Sequence, residues 1–439
     1  MYNPACRIDR RFFFDKLIDR GIFELEMVTM SMAAAHAKDR KLHDAIFEAN
    51  QACLDAAKTY GTDRVTNATI GVMLDDDGRL AVLPTVDKIY RSLDIAEMMA
   101  YAPITGLPEY RSAVIDLAFA DNKPDAYISA LATAGGTGAI HHAVANYAER
   151  GDFILTSDWF WGNYNVIAIE TAKKLATFTL FDENLNFNIG AFTAKVDDLL
   201  SAQDSLLIIL NTPAHNPTGF ALTESDWDAV LDFVELRAAD GKKISILVDI
   251  AYIDFAGETN ATRKFMKKFS NLPENVFVMI SFSMSKSYTL YGQRAGALIG
   301  VSSSKSVIEE FEQATKYSNR ALWSNVNRGA QALLIRLQQD KELHAVFERE
   351  REQFYKLVKR RADIFVSEAK MCGLRIVPYS GGFFIAIPSD NPIAVCQKLH
   401  DDLIYAVPLK LGIRVAACSV STQKIRGVAD KIKFAMTIE

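Results

Sequence analysis

Long apolar runs are missing from this chain. The longest strongly apolar stretch near its middle, Leu206–Leu210, is far short of the ~20 residues that span a bilayer, so no membrane span is expected. Cysteine is scarce too: Cys6, Cys53, Cys372, Cys396 and Cys418 are scattered, odd in number and never spaced CxxC. That pattern excludes a disulfide framework and reads as buried or free thiols of a reducing compartment. Charge of one sign is also lacking, with 49 Lys and Arg against 54 Asp and Glu and a net charge of −5. A general nucleic-acid binder needs a basic face, so nucleic acid is not an expected partner. The opening MYNPACRIDRRFFFDK has arginines but no apolar stretch followed by a small-residue cleavage site, and a cytoplasmic protein is expected. Internal repeats and low-complexity segments are absent, which sets aside solenoids and long linkers.

What is present is the balance of an ordinary globular protein, 49% hydrophobic and 23% charged. The 439 residues exceed the ~250–300 at which one core stops growing, so two or at most three domains are expected. Residues 1–65 are rich in Ala, Asp and Lys, and Ala45, Ile46, Ala49, Cys53 and Ala56 recur at helical spacing. From Pro103 short apolar runs alternate with amphipathic stretches. Phe153–Thr156, Ala176–Leu180, Leu206–Leu210, Ile244–Asp249, Val276–Ser281 and Ala295–Gly300 read as strands. Thr137–Glu149 and Thr223–Ala239 read as helices, the second with Thr223 as its N-cap. Such alternation predicts an α/β fold with a largely parallel sheet covered on both faces. Beyond about residue 340 a charged helix, Lys341–Met371, leads to the strands Phe383–Ile387 and Ile413–Ala417 of a smaller α+β unit.

The segments that carry chemistry lie in or just past the α/β region. Ala134-Gly-Gly-Thr-Gly-Ala139 precedes a helix, whose N-terminus offers free N–H groups to an anion. Alone it reads rather as a plain strand–helix turn, since it lacks both the GK[ST] ending and the GxGxxG spacing. Asn211-Thr-Pro-Ala-His-Asn216-Pro-Thr-Gly219 follows a strand, where parallel sheets bind ligands, although Asn-Pro and Thr-Gly are also turn chemistry. His215 reads as a structural neighbour. Asp249 ends an apolar strand and is either a turn cap or a desolvated acid paired with a cation. Ser281-Phe-Ser-Met-Ser285-Lys286 follows another strand, with Arg294 downstream. Hydroxyls and a guanidinium suit a phosphate, and a desolvated lysine amine can form a Schiff base. His141 and His142 have no carboxylate or cysteine at ligand spacing, and no metal site is expected.

Taken in order, these segments resemble the fold-type-I pyridoxal-phosphate-dependent aminotransferases, most closely the aspartate/aromatic (class I) family. The likeness runs from about Ile70 to Ser421 and includes Gly71, Val82–Tyr90, Tyr101-x-x-Ile-Thr-Gly-Leu-Pro-Glu109, Trp161-Gly-Asn, SxSKxxxLYxxR ending at Arg294, and Gly412-Ile-Arg414-Val. The resemblance implies a large cofactor-binding domain over 84–350 with a mostly parallel sheet flanked by helices. A smaller α+β domain would comprise 1–83 and 351–439, with an N-terminal helical extension. It implies pyridoxal 5'-phosphate as cofactor, carried on Lys286 as a Schiff base, with Lys286 as the proton carrier. Asp249 would pair with the pyridine nitrogen. Tyr252 and Asn216 would hydrogen-bond the ring oxygen, and Trp161 would stack on the ring. Gly136, Thr137, Ser283, Ser285 and Arg294 would hold the phosphate, with Gly135 permitting the turn. Tyr101 would reach the phosphate in the neighbouring subunit of a homodimer. Arg414 would clamp the substrate α-carboxylate, and Gly71, Trp161 and Asn216 would line the substrate. Arg320 falls where dicarboxylate-specific members hold the distal carboxylate; its other reading is a surface helix arginine.

Two departures from the family stand out. Tyr164 occupies the place of a histidine behind the aspartate, and Asn211 replaces a further histidine. The expected activity is transfer of an amino group between an aromatic or acidic amino acid and a 2-oxo acid such as 2-oxoglutarate. The alternatives are a lyase or decarboxylase of amino acids on the same scaffold, and a ligand-sensing module of a regulator. The latter would need a fused basic DNA-binding domain, for which the first 65 residues are too short and too mixed in charge.

Overall fold

The computed structural model describes residues 31–38 and 40–437, and it divides into residues 1–43 and 44–439. In the first unit the described residues carry a short turn closed by Ala37 N–H and Lys38 N–H donating to Ala34 O. Whatever part of the expected N-terminal extension falls on residues 1–30, with Cys6, lies outside the described residues.

The second unit begins with α1 (Ala45–Tyr60), capped by Asp44, whose carboxylate accepts from the N–H groups of Ile46 and Phe47. Its apolar stripe buries Cys53 and Ala56. The central feature is a seven-stranded sheet of β1 (Tyr127–Thr133), β2 (Phe153–Ser157), β3 (Lys174–Phe178), β4 (Ser205–Asn211), β5 (Lys243–Asp249), β6 (Val276–Ser283) and β7 (Gly296–Ser302). Their order is β1-β7-β6-β5-β4-β2-β3. All run parallel except β7, which opposes both neighbours.

The central strands read as unbroken apolar runs because both their faces are buried. Side chains alternate across a strand. Leu206, Ile208, Leu210, Ile246 and Val248 therefore enter one core, while Leu207, Ile209, Leu247, Phe277 and Met279 enter the core on the other face. Helices α2 (Gly135–Tyr147), α3 (Asn163–Glu170), α4 (Glu224–Ala239) and α5 (Lys305–Leu322) alternate with or follow these strands. Thr223 caps α4 in a reciprocal capping box with Asp226, as its sequence predicts.

The 31-residue helix α6 (Lys341–Met371) matches its expected span and leads to a second sheet. There β8 (Phe384–Pro388), β9 (Val407–Leu409) and β10 (Gly412–Ala416) pair antiparallel in the order β9-β10-β8. Their inner face packs Ile385, Ile387, Ile413 and Val415 against Ala362 and Phe365 of α6. The expected strands at Ala176–Leu180 and Phe383–Ile387 are shifted by one or two residues, and β1 was not anticipated. Strand β1 sits at the sheet's edge, and its Ser129 and small Ala130 and Ala132 dilute the apolar pattern by which its neighbours are recognised. Among the described residues no helix is long and apolar enough to cross a membrane.

Candidate active site

The chemistry-bearing segments meet at one edge of the sheet, beyond the carboxyl ends of β1, β2, β4, β5 and β6. Register places them side by side: Asn211 is opposite Asp249, and Asp249 is opposite Ser281. Gly296, the first residue of the reversed strand β7, is paired with both Thr133 and Ser283. It must be glycine. A Cβ there would lie 2.4 Å from Phe282 O and 2.7 Å from the carbonyl carbon of Gly135.

Strand β1 ends in the turn that starts α2. Gly135 has φ +70°, and a Cβ on it would stand 2.8 Å from Nη2 of Arg294. A Cβ on Gly136 would come within 3.2 Å of the Ser283 Cβ. Arg294, itself left-handed at φ 51°, donates through Nη1 to Ser285 Oγ at 3.1 Å and through Nη2 to Thr137 Oγ1 at 3.4 Å. Ser283 Oγ accepts from Ser285 N–H at 3.2 Å. The result is a bowl with a helix N-terminus, hydroxyls and one guanidinium on its wall. That donor set suits a phosphate monoester, and the two glycines let the turn into α2 pack directly against Arg294 and Ser283.

Lys286 follows this wall. Its ammonium donates to Gly71 O at 2.8 Å and lies 4.8 Å from the Tyr291 ring and 5.7 Å from the Tyr252 ring. Burial pulls its pKa down to about 8, assisted by the cations Arg294 and Arg414 and opposed by Asp249. Asp249, only 5% exposed, accepts from the Tyr164 hydroxyl at 2.7 Å and from Ala251 N–H at 3.1 Å. Its burial raises the carboxyl pKa in spite of these donors and of Lys286. A buried acid beside a buried amine marks the place where chemistry is prepared.

Arg414, on β10 and 2% exposed, donates to Thr69 O at 2.6 Å and to Asn216 Oδ1 at 3.2 Å, and stacks 4.3 Å from the Phe384 ring centroid. Its Nε has no partner in the described structure. Burial lowers its pKa to about 10. Asn216 is held by its N–H, which donates to Asn211 Oδ1 at 2.7 Å, and Asn211 Nδ2 donates to Asp249 O at 2.8 Å. Asn211 thus splints the two functional loops. His215 is buried and bonded to Thr218 Oγ1 through Nδ1; burial drives its pKa to about 3, so it stays neutral. Trp161 stands edge-to-face on Tyr164, with centroids 5.7 Å apart.

Gly71, Gly135, Gly136, Thr137, Trp161, Asn216, Asp249, Tyr252, Ser283, Ser285, Lys286, Arg294 and Arg414 are therefore gathered around one locus. Two expected residues are not. Tyr101 is 87% exposed, with its carbonyl accepting from Arg328. Arg320 is exposed in the last turn of α5, where its guanidinium donates to Ser324 Oγ. Three contributors had gone unremarked: Phe384 beneath Arg414, Thr69 through its carbonyl, and the buried Cys418. The last has its thiol pushed up to about 12 by burial, against the pull of nearby Lys286. An aromatic pair following Gly381–Gly382 was the only local mark of Phe384.

Residues 63–432 match the family described as aminotransferase class I and II. A crystal structure of an aminotransferase from Anaerococcus prevotii is 40% identical, with a TM-score of 0.91, covering 93% of this chain and 100% of that one. A mitochondrial aspartate aminotransferase of Schizosaccharomyces pombe is 32% identical, over 62% of this chain and 61% of its own length. An aromatic-amino-acid aminotransferase of Paracoccus denitrificans is 28% identical, over 58% of this chain and 63% of its own length. The matches to these two curated relatives thus span just under two thirds of their lengths.

Proposed function

The chain belongs to the class I and II aminotransferases, and on that premise we propose that it is a pyridoxal-phosphate-dependent transaminase acting between an amino acid, aromatic or acidic, and a 2-oxo acid such as 2-oxoglutarate. The observation that carries this reading is the buried Lys286 amine set between the bowl at Arg294 and the carboxylate of Asp249. Bound pyridoxal 5'-phosphate, the family's cofactor, supplies an electron sink conjugated to the substrate Cα. The residues present fit it. Gly136, Thr137, Ser283, Ser285 and Arg294 would hold the phosphate, and Gly135 would let the turn approach it. Asp249 would pair with the ring nitrogen, Tyr252 and Asn216 would bond the ring oxygen, and Trp161 would cover the ring.

Lys286 would be the cofactor's covalent anchor and, when free, would move a proton at the substrate Cα. A pKa of about 8 in the cofactor-free chain leaves a neutral fraction of the amine for the first task. Arg414 receives the α-carboxylate, for which its stacking on Phe384 fixes the fork of donors. Gly71 admits the Phe384 ring on which Arg414 stacks, since a Cβ there would lie 2.7 Å from Phe384 Cζ. The large domain at 84–350 and the smaller one completed by 351–439 are part of the proposal, supported by a separate apolar cluster behind β8 and β10. So is a homodimer in which Tyr101 and Arg320 serve the partner's site, supported by their exposure in the single chain. A cytoplasmic location agrees with Cys53, Cys372, Cys396 and Cys418 all being free.

The test is a panel of amino donors with 2-oxoglutarate as acceptor and purified, cofactor-loaded protein. Stoichiometric glutamate and the donor's 2-oxo acid are expected. Release of carbon dioxide or ammonia without glutamate would replace transamination by the decarboxylase or lyase reading.

A further inference from the structure

Tyr164 is the one polar side chain bonded to Asp249 to which the proposed mechanism gives no task. It leaves the second position of α3 and is 1% exposed, so its hydroxyl meets little but protein. That hydroxyl donates to Asp249 Oδ2, while the backbone N–H of Ala251 donates to Oδ1. Each carboxylate oxygen is thereby aimed by one donor. The Trp161 ring braces Tyr164 edge-on. The other titratable groups that bear on Asp249 are Tyr252 and Lys286.

We propose that Tyr164 is the positioning residue that holds the Asp249 carboxylate as an acceptor aimed at the cofactor's ring nitrogen, through the hydroxyl it donates to Oδ2. The inference rests on the transaminase reading above. The physical case has two parts. Burial favours the neutral form of Asp249, and a hydrogen bond accepted by the carboxylate opposes that drift. A phenol is also a different device from an imidazole, which changes its charge near neutrality. Tyr164 lies in the same burial, with the charge of Asp249 beside it, and its pKa rises well above the usual phenol value. It therefore offers one proton to Oδ2 in every state of the enzyme, and Asp249 faces the ring as an acceptor with its remaining lone pairs.

The test compares wild-type protein with Tyr164→Phe, loaded with pyridoxal phosphate carrying an isotope label at the ring nitrogen. Two readouts are independent of turnover: the nitrogen NMR shift, which reports the ring proton, and the equilibrium affinity for the cofactor. Wild type is expected to keep the ring nitrogen protonated through neutral pH. Tyr164→Phe should lose that proton at lower pH and bind cofactor roughly tenfold more weakly, the scale of one hydrogen bond to a charged group. Its kcat should fall while KM for the amino acid changes little. An unchanged shift and affinity in a folded Tyr164→Phe would overturn the proposal. Should that variant not fold, difluorotyrosine incorporated in place of Tyr164 keeps the shape and acidifies the hydroxyl. A moved ring-nitrogen signal then supports the role, and an unmoved one overturns it. Wild-type protein that takes up no pyridoxal phosphate would bring down the transaminase reading itself, whereas indifference of the variants brings down this inference alone.

Discussion

Lys286 shows how one residue inherits its chemistry from its surroundings. A free lysine amine is almost wholly protonated at neutral pH, with a pKa of ~10.4, and a protonated amine is no nucleophile. Burial here lowers the value to about 8. As pH rises through that value the amine loses its proton, so uptake of pyridoxal phosphate by the cofactor-free protein should quicken with pH and level off above about 8. The rate, followed by the growth of cofactor absorbance, checks this. A midpoint near the free-lysine value would show that the amine is not desolvated. Borohydride treatment should fix the cofactor to Lys286, and Lys286→Ala should abolish turnover. Asp249 is the complementary case: the same burial that disfavours the ammonium disfavours the carboxylate, whose ionised form is supported by the Tyr164 hydroxyl, the Ala251 N–H and nearby Lys286.

At the scale of elements, the site is a set of strand ends joined to turns. Gly135 is where a strand's geometry and a ligand's needs meet. Its φ of +70° and the 2.8 Å from a notional Cβ to Arg294 mean that Gly135→Ala carries backbone strain of about 1–2 kcal/mol and displaces the guanidinium. Cofactor affinity should fall by about tenfold or more, measured by equilibrium binding, with the thermal transition of the cofactor-free protein lowered only modestly. Thr223→Ala is the contrasting case, since it removes the capping box of α4, whose hydrogen bonds go to Ser225 and Asp226 and not to the bowl. It should lower stability by about 1 kcal/mol in denaturant unfolding and leave cofactor affinity alone. These elements also show what was legible in the sequence. Asn211, Asp249 and Ser283 each close an apolar run, so their place at the sheet's carboxyl edge follows from local pattern. Strand β1 escaped notice because alanines carry so little of that pattern. The carbonyl of Thr69 left no mark of its own, Phe384 only its place in the aromatic pair after Gly381–Gly382, and Cys418 only that of a buried thiol. Their roles depend on contacts between distant parts of the chain: β10 brings Arg414 to Asn216 across 198 positions, and Lys286 meets Gly71 across 215. The bond from Tyr164 to Asp249 is intermediate: the replaced histidine could be seen in the sequence, but not that a phenol reaches the carboxylate.

At the scale of the molecule, the single chain leaves Tyr101 and Arg320 in the open, along with the exposed apolar side chains of Met99, Tyr317 and Trp323. If the partner's site is where Tyr101 and Arg320 act, a catalytic lesion in one subunit and a Tyr101→Phe lesion in the other should complement. Mixed Lys286→Ala and Tyr101→Phe subunits form heterodimers with one doubly damaged site and one intact one, so activity should recover on mixing. No recovery would place Tyr101 with its own subunit. Arg320 extends the argument to specificity. A guanidinium meets a carboxylate through two parallel hydrogen bonds, and an aromatic ring offers it no such partner. Arg320→Leu should therefore lower kcat/KM for aspartate, glutamate and 2-oxoglutarate by roughly ten- to a hundredfold, the scale of hydrogen bonds lost to a charged group. Phenylalanine and tyrosine should lose far less, because Arg414 still holds the α-carboxylate that every substrate shares. Steady-state kinetics on both substrate classes decide it. Equal losses would make Arg320 a structural arginine that holds Ser324 at the end of α5. The discrimination between acidic and aromatic substrates would then have to come from groups already around Lys286 and Arg414, such as Tyr291 and Phe384.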